Sequence, residues 1–292
     1  MNFILIGIVL AMKGVQGYFT KKLSGELTQK VTYVTYLAFN MLLSSLFAGV
    51  LLLVGKGNLH IDSMMLWCSI ICGISIAVCM VANLMALKEG AIVLVQVFAM
   101  AGILVPCISG SFLFGEKVSI LQFVGIGILI ISTLLLMQYN KSIYGKLTPK
   151  TIFLLLITLI SNGTTMLSQK MFAFYVPSGN VSMFSFLQFI IPTIVLALLI
   201  KPIAKQEGLK VKIPSKNVFI FGSILAVAIL TVSQLSTVVS KALPSVLVFP
   251  IVNGGGLILT TILAATCFKE KLNLKSSLGL ILAIISLVII NF

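Results

Sequence analysis

The sequence predicts an all-α integral membrane protein of ten transmembrane helices, built as two inverted five-helix repeats. Three observations carry that expectation. Apolar residues make up 59% of the 292-residue chain and charged residues only 9%, whereas a soluble domain carries about 25% charged residues. Apolar runs long enough to cross about 30 Å of hydrocarbon recur from end to end. The stretch FGEKVSILQFVGIGILIIS at 114–132 returns as FKEKLNLKSSLGLILAIIS at 268–286, and such self-similarity marks an internal duplication.

Charged and turn residues divide the chain into ten apolar segments of about 19–24 residues, a length that suits helices and exceeds what barrel strands need. Segment 1 (3–21) ends at Lys21 and Lys22; it lacks the basic leader and small-residue cleavage site of a signal peptide and is read as retained. Segment 2 (31–54) stops before Gly55, and segment 3 (64–87) lies between Asp62 and Lys88. Segment 4 (91–114) contains Pro106 and closes on the turn GEK, and segment 5 (119–138) follows it. Segments 6 (151–173), 7 (181–200), 8 (217–240), 9 (244–267) and 10 (273–291) repeat the order, the ninth closing on KEK. The longest polar connection, KPIAKQEGLKVKIPSK, has sixteen residues. No soluble domain is expected between the spans.

The two halves are 1–140 and 149–292. Their closing stretches align without a gap at an offset of 154, which also sets Gly102 against Gly256. At the front of each half a Gly is followed by Lys seven residues later, Gly14 to Lys21 and Gly163 to Lys170. Five spans per half is an odd number, so the halves are expected in opposite orientations, the architecture of many secondary transporters. An even total puts both termini on one side. The connections on one face carry fifteen lysines, and the other face carries Lys56, Lys117 and Lys241. Positive residues favour the cytoplasm, so both termini are expected to be extracytoplasmic in a plasma or inner membrane.

Composition also narrows function. The net charge of +14 comes from lysine alone, for there is no Arg. The lysines lie between apolar segments rather than in a basic patch with interleaved aromatics, which excludes nucleic acid as the expected partner and favours a bilayer with anionic lipids. Cys68, Cys72, Cys79, Cys107 and Cys267 all fall in apolar segments without a CxxC, and the one histidine, His60, lies in a connection. A zinc site lacks ligands, and no cofactor is expected. The polarity leaves no nucleophile–base pair within the membrane, so an enzyme is not expected.

The duplicated Gly-to-Lys spacing and the paired GEK and KEK turns, in this order over ten spans, resemble the drug/metabolite transporter superfamily in its ten-helix, EamA-like branch. The resemblance covers the whole chain. It implies secondary transport of a small metabolite, without nucleotide hydrolysis, through a central cavity lined by segments 1, 3, 4, 6, 8 and 9. Members commonly carry Trp before the first-segment Gly, where this chain has Lys13. Better-known members also tend to have cytoplasmic termini, opposite to the lysine count.

Lys13 is the residue on which the functional reading turns. It lies about 15 Å along segment 1 at 1.5 Å per residue, near mid-bilayer. A charge there costs about 2.5–3.5 kcal/mol on insertion scales. Snorkelling is the structural alternative, but a lysine stem of about 6 Å leaves the ammonium short of either interface. A wet cavity at a substrate site is the preferred reading. The six acidic residues, Glu26, Asp62, Glu89, Glu116, Glu207 and Glu270, fall in connections. A proton–drug exchange on a membrane glutamate therefore has no residue to use. A positive group without an acidic partner favours a carboxylate or phosphate substrate, such as an amino acid or organic acid.

Gln16 and Gly17 share the helical face of Lys13, and Gly17 is expected to leave room for the substrate. Asn162 occupies the position equivalent to Lys13 in the second half, within the polar stretch LISNGTTMLSQK. Asn83, Gln96, Gln234 and Asn253 complete the candidate set, ahead of Gln188 in segment 7, which the family's cavity does not use. Interhelical hydrogen bonding is the alternative for each amide. Pro106, Pro192, Pro250 and the run Gly254–Gly256 are expected to interrupt helices or to pack them closely. The pairs Glu116–Lys117 and Glu270–Lys271 are read as turns. The leading function is a secondary active transporter, acting as monomer or homodimer; the alternative is a non-transporting membrane protein that handles lipid or lipid-linked intermediates.

Overall fold

The computed structural model of the chain describes residues 2–24, 29–55, 60–88, 92–137, 148–209, 215–268 and 273–292. Among them every regular element is an α-helix: α1 (Asn2–Ser24), α2 (Lys30–Val54), α3 (Ser63–Lys88), α4 (Ile92–Ala101), α5 (Leu104–Leu113), α6 (Ile120–Met137), α7 (Pro149–Tyr175), α8 (Val181–Glu207), α9 (Lys216–Ser240), α10 (Ser245–Cys267) and α11 (Leu274–Ile290). Eight spans are long and apolar enough to cross a membrane, α4 and α5 together forming one, and α6 and α11 are shorter apolar helices. Outward-facing Leu46, Val50, Ile131, Ile160, Leu198 and Ile281 are exposed, a surface suited to lipid rather than water. The chain is a multi-pass helical membrane protein.

Two boundaries differ from expectation, and two expected interruptions do not occur. Segment 4 is two helices rather than one, parted at Gly102–Ile103. The cause is Pro106, whose ring meets the carbonyl four residues back, that of Gly102, and offers it no N–H. Tighter bonds replace the missing one: Ile103 N donates to Met100 O at 3.1 Å and Val105 N to Gly102 O at 3.0 Å. By contrast α10 runs unbroken through Pro250 and its three glycines, and α8 through Pro192. Finally, α8 continues through Pro202 to Glu207 and ends on Gly208 at φ 64°, a left-handed cap that glycine adopts without strain. The first seven residues of the sixteen-residue stretch are thus helical. Glu207 Oε2 accepts from Val31 N at 3.0 Å, and its Oε1 lies 3.6 Å from Lys30 Nζ, which pins the end of α8 to the start of α2.

Helices of the two halves interleave. α2 packs on α8, α3 on α7 and α8, α1 on α9 and α10, α6 on α11, and α7 also meets α4, α5 and α9. The largest apolar core gathers Val9, Ile103, Ile126, Leu129 and Val248 between α1, α5, α6 and α10. A second core holds Cys72 with Phe172 and Phe184 stacked at 4.3 Å between centroids. These cores hold the inner face of α7, which carries Asn162 and meets Asn83 and Asn253.

Candidate functional site

Lys13 lies midway along α1 and is held by α10. Its stem crosses Gly256, where a Cβ would come 3.1–3.2 Å from the Lys13 Cβ, Cγ and Cδ. Its Nζ donates to Asn253 Oδ1 at 3.4 Å, one turn nearer the start of α10. That is a long bond to a neutral amide, much weaker than a charge-assisted one. No carboxylate among the described residues pairs with Lys13. Asn253 is oriented in turn by its own donation to Phe249 O at 3.0 Å, and its Nδ2 reaches Met166 Sδ of α7 at 3.8 Å.

The glycine contact gives a direct stability prediction. Gly256→Val overpacks the Lys13 stem and is expected to lower stability by about 1–3 kcal/mol. In a Lys13→Ala background most of that loss should vanish, because the crowding group is gone. A double-mutant cycle from unfolding in detergent measures the coupling; additive losses would place Lys13 away from Gly256.

α7 gathers Asn83 and Asn162, and reaches Asn253, from positions spaced four residues apart, the spacing of one helical face. Thr158 Oγ1 donates to Asn83 Oδ1 of α3 at 2.8 Å, and Asn162 Nδ2 donates to Ala99 O at 2.7 Å. Ala99 stands at the end of α4, so Asn162 braces the break that Pro106 causes. The backbones meet closely there: a Cβ on Gly163 would strike Val105 and the Gly102 carbonyl, as small-residue packing in membranes requires. Met166, the next step, touches Asn253, and through it α7 is connected to Lys13.

The fourth step is Lys170, and here sequence reasoning missed a centre. Lys170 is only 5% exposed. Its Nζ lies 2.7 Å from Glu116 Oε1 and donates to the carbonyls of Ser240 and Leu243, each at 2.9 Å. Glu116 Oε2 accepts from Ser245 N, in the first turn of α10, at 2.9 Å. Glu116 therefore is not merely part of a turn: it folds inward and joins α7, α10 and the α5–α6 connection. Gly115 makes this possible at φ 65°, and Gly110 leaves the space, since a Cβ there would lie 2.5 Å from Glu116 Oε2. A signal was present. The fifteen and three lysines of the two faces leave out only Lys13 and Lys170. Glu270, which stands in the register of Glu116, lies outside the described residues, as do Glu26, Lys56, Glu89 and Lys271.

The remaining candidates do not join Lys13. Gln16 is half-buried one turn along α1, and Gln96 is exposed on α4. Gln234 Nε2 reaches Ser182 Oγ of α8 at 3.3 Å. Gln188 belongs to a separate buried network in which it and Gln169 both donate to Ser233 Oγ, at 2.6 and 3.0 Å. Gly17 gives no room for substrate, because Thr260 of α10 fills the place of its side chain. An apolar cavity of about 200 Å³ opens between α2, α3 and α8, lined by Val34, Met80, Leu84, Leu196 and Gln206 among others, and a shallower groove of about 410 Å³ lies between α10 and α11. Neither includes a candidate residue. Among the described residues no group of three or more His, Cys, Asp or Glu could hold a metal.

No family model matches the chain, and no curated protein does. Twenty-eight chains of solved structures match it. One protein crystal structure superposes with a TM-score of 0.73 over 99% of this chain and 98% of its own, at 12% identity. That likeness concerns the fold alone.

Proposed function

We propose that the protein is a secondary active transporter of a small anionic or zwitterionic metabolite, such as an amino acid or organic acid, working by alternation of two inverted five-helix halves. The observation that carries this reading is Lys13. A lysine midway through a membrane helix, bonded among the described residues only by a long contact to Asn253, has donors left for a carboxylate or phosphate. The second-half counterparts support the inverted arrangement. Lys13 meets Gly256 and Asn253; Asn162, 149 residues on, donates to Ala99, which stands 154 before Asn253, and its neighbour Gly163 meets Gly102, which stands 154 before Gly256. The pairings exchange in the same way: α1 on α9 answers α7 on α3, and α2 on α9 answers α8 on α3. The resemblance to the drug/metabolite transporter superfamily agrees with this arrangement.

The reading is tested by substrate-dependent uptake into proteoliposomes, after a carboxylate and phosphate panel has been screened by thermal shift, since a ligand of the folded state raises its stability. Absence of any uptake with tightly binding panel members would favour the lipid-handling alternative, for which the laterally placed apolar cavity between α2, α3 and α8 is the supporting feature.

Orientation is tested separately. The lysine count places 201–216 in the cytoplasm and both termini outside. Cys267, the exposed one of the five cysteines, is first replaced by Ser. Lys210→Cys should then resist a membrane-impermeant thiol reagent in intact cells while Lys117→Cys is labelled. The reverse pattern would invert the topology.

A further inference from the structure

The ion pair of Lys170 has features that a structural tie does not need. Lys170 Nζ, the Ser245 N–H at the start of α10 and the Ser245 hydroxyl converge on one small volume. Glu116 Oε2 and Ser245 Oγ both crowd the point that a Cβ on Gly110 would take, at 2.5 and 3.5 Å. Ser245 is fully buried, yet among the described residues its hydroxyl has no hydrogen-bond partner. A buried ammonium, a helix N-terminus and a spare hydroxyl donor together make a carboxylate or phosphate site. Its occupant is carried on a glycine-started turn, with Gly115 at φ 65° and Lys117 exposed beside it. The site also lies on the stripe of α7 that leads from Lys13. Met166, which touches Asn253, is four residues from Lys170, about 6 Å of helical rise.

We propose that Lys170, the first N–H of α10 and Ser245 Oγ form a second anion site, filled in this conformation by the protein's own Glu116 carboxylate. A mobile carboxylate or phosphate takes the place of Glu116 when the 114–119 turn moves away. The proposal rests on the reading of the protein as an anion transporter: a substrate leaving Lys13 along α7 meets Lys170 next, and exchange with Glu116 opens that end of the molecule. No covalent step is involved; one carboxylate replaces another on the same ammonium.

The test is rescue by acetate. Glu116→Ala removes the tethered carboxylate and leaves Lys170 without its counter-ion. The purified variant should melt below the wild type. Acetate, compared with chloride at equal ionic strength, should raise its melting temperature on the order of 5 °C at saturation. Wild type should respond far less, because Glu116 competes, and Glu116→Ala/Lys170→Met should not respond specifically. If Glu116→Ala does not accumulate, Glu116→Gln keeps the side-chain volume and is measured against Glu116→Gln/Lys170→Met with phosphate as probe. Equal anion responses in single and double variants would overturn the site and leave the pair as a structural tie. The measurement needs no transport, so a positive rescue beside absent uptake would retain the anion site and reject the transporter.

Discussion

Lys13→Met is expected to fold as well as the wild type and to lose transport. Methionine keeps the length of the stem that lies across Gly256 and removes a charge that costs about 2.5–3.5 kcal/mol in mid-membrane. The bond it gives up, to Asn253 Oδ1 at 3.4 Å, is long and stabilises little. Nothing in the resting fold therefore suffers. The proposed substrate contact is another matter: one charge-assisted hydrogen bond of about 1.5–3 kcal/mol corresponds to roughly a 10- to 150-fold loss of affinity. Uptake by wild type and variant, reconstituted at equal density with the ligand found in the thermal-shift panel, measures it. Unchanged uptake would remove Lys13 from the site and leave Asn83, Asn162 and Asn253 as the residues to examine.

The second large effect is on stability. Lys170→Met strands a buried carboxylate, for Glu116 keeps only the Ser245 N–H. Breaking a buried pair from one side costs about 3–5 kcal/mol, and both partners here are almost wholly covered, with side chains 6% and 8% exposed. The double variant Lys170→Met/Glu116→Gln should recover much of that loss, because no charge is then left in an apolar place. Unfolding in detergent by heat or denaturant reads both. Equal stability of Lys170→Met and wild type would mean that water reaches the pair.

Much of this was legible in the chain because lipid makes hard demands. A span must be apolar and helical, so its ends are marked by the first charge or turn residue, and the ten segments match the helices closely. Lys13 stood out for the same reason: a charge in the middle of an apolar run has no ordinary explanation. Lys170 was harder to see. It lies near the end of its span, where an ammonium could reach water, and only the folding of the 114–119 turn turns Glu116 inward to meet it. Gly17 illustrates a different limit. A missing side chain shows up in sequence, but whether a substrate or a neighbour fills the gap depends on the partner helix, and Thr260 fills this one. Pro106 interrupts its helix as expected, whereas Pro192 and Pro250 do not. Pro250 lies in the second turn of α10, where one lost bond is tolerated, whereas Pro106 falls mid-span against Gly102.

That last contrast makes the two halves unequal as machines. Thr260 stands in the register of Pro106, and its hydroxyl donates back to Gly256 O at 2.7 Å, the position equivalent to the Gly102 carbonyl that Pro106 leaves without its helical donor. One half therefore contains two short helices, α4 and α5, broken close to where Asn162 grips Ala99. The other contains a single stiff rod. The proposed transport movement would pass along the full length of α10, whereas in the other half the break between α4 and α5 would absorb part of it. Under the alternation proposed above, the stroke toward one face would therefore not mirror the stroke toward the other, and forward and return movements would differ in rate.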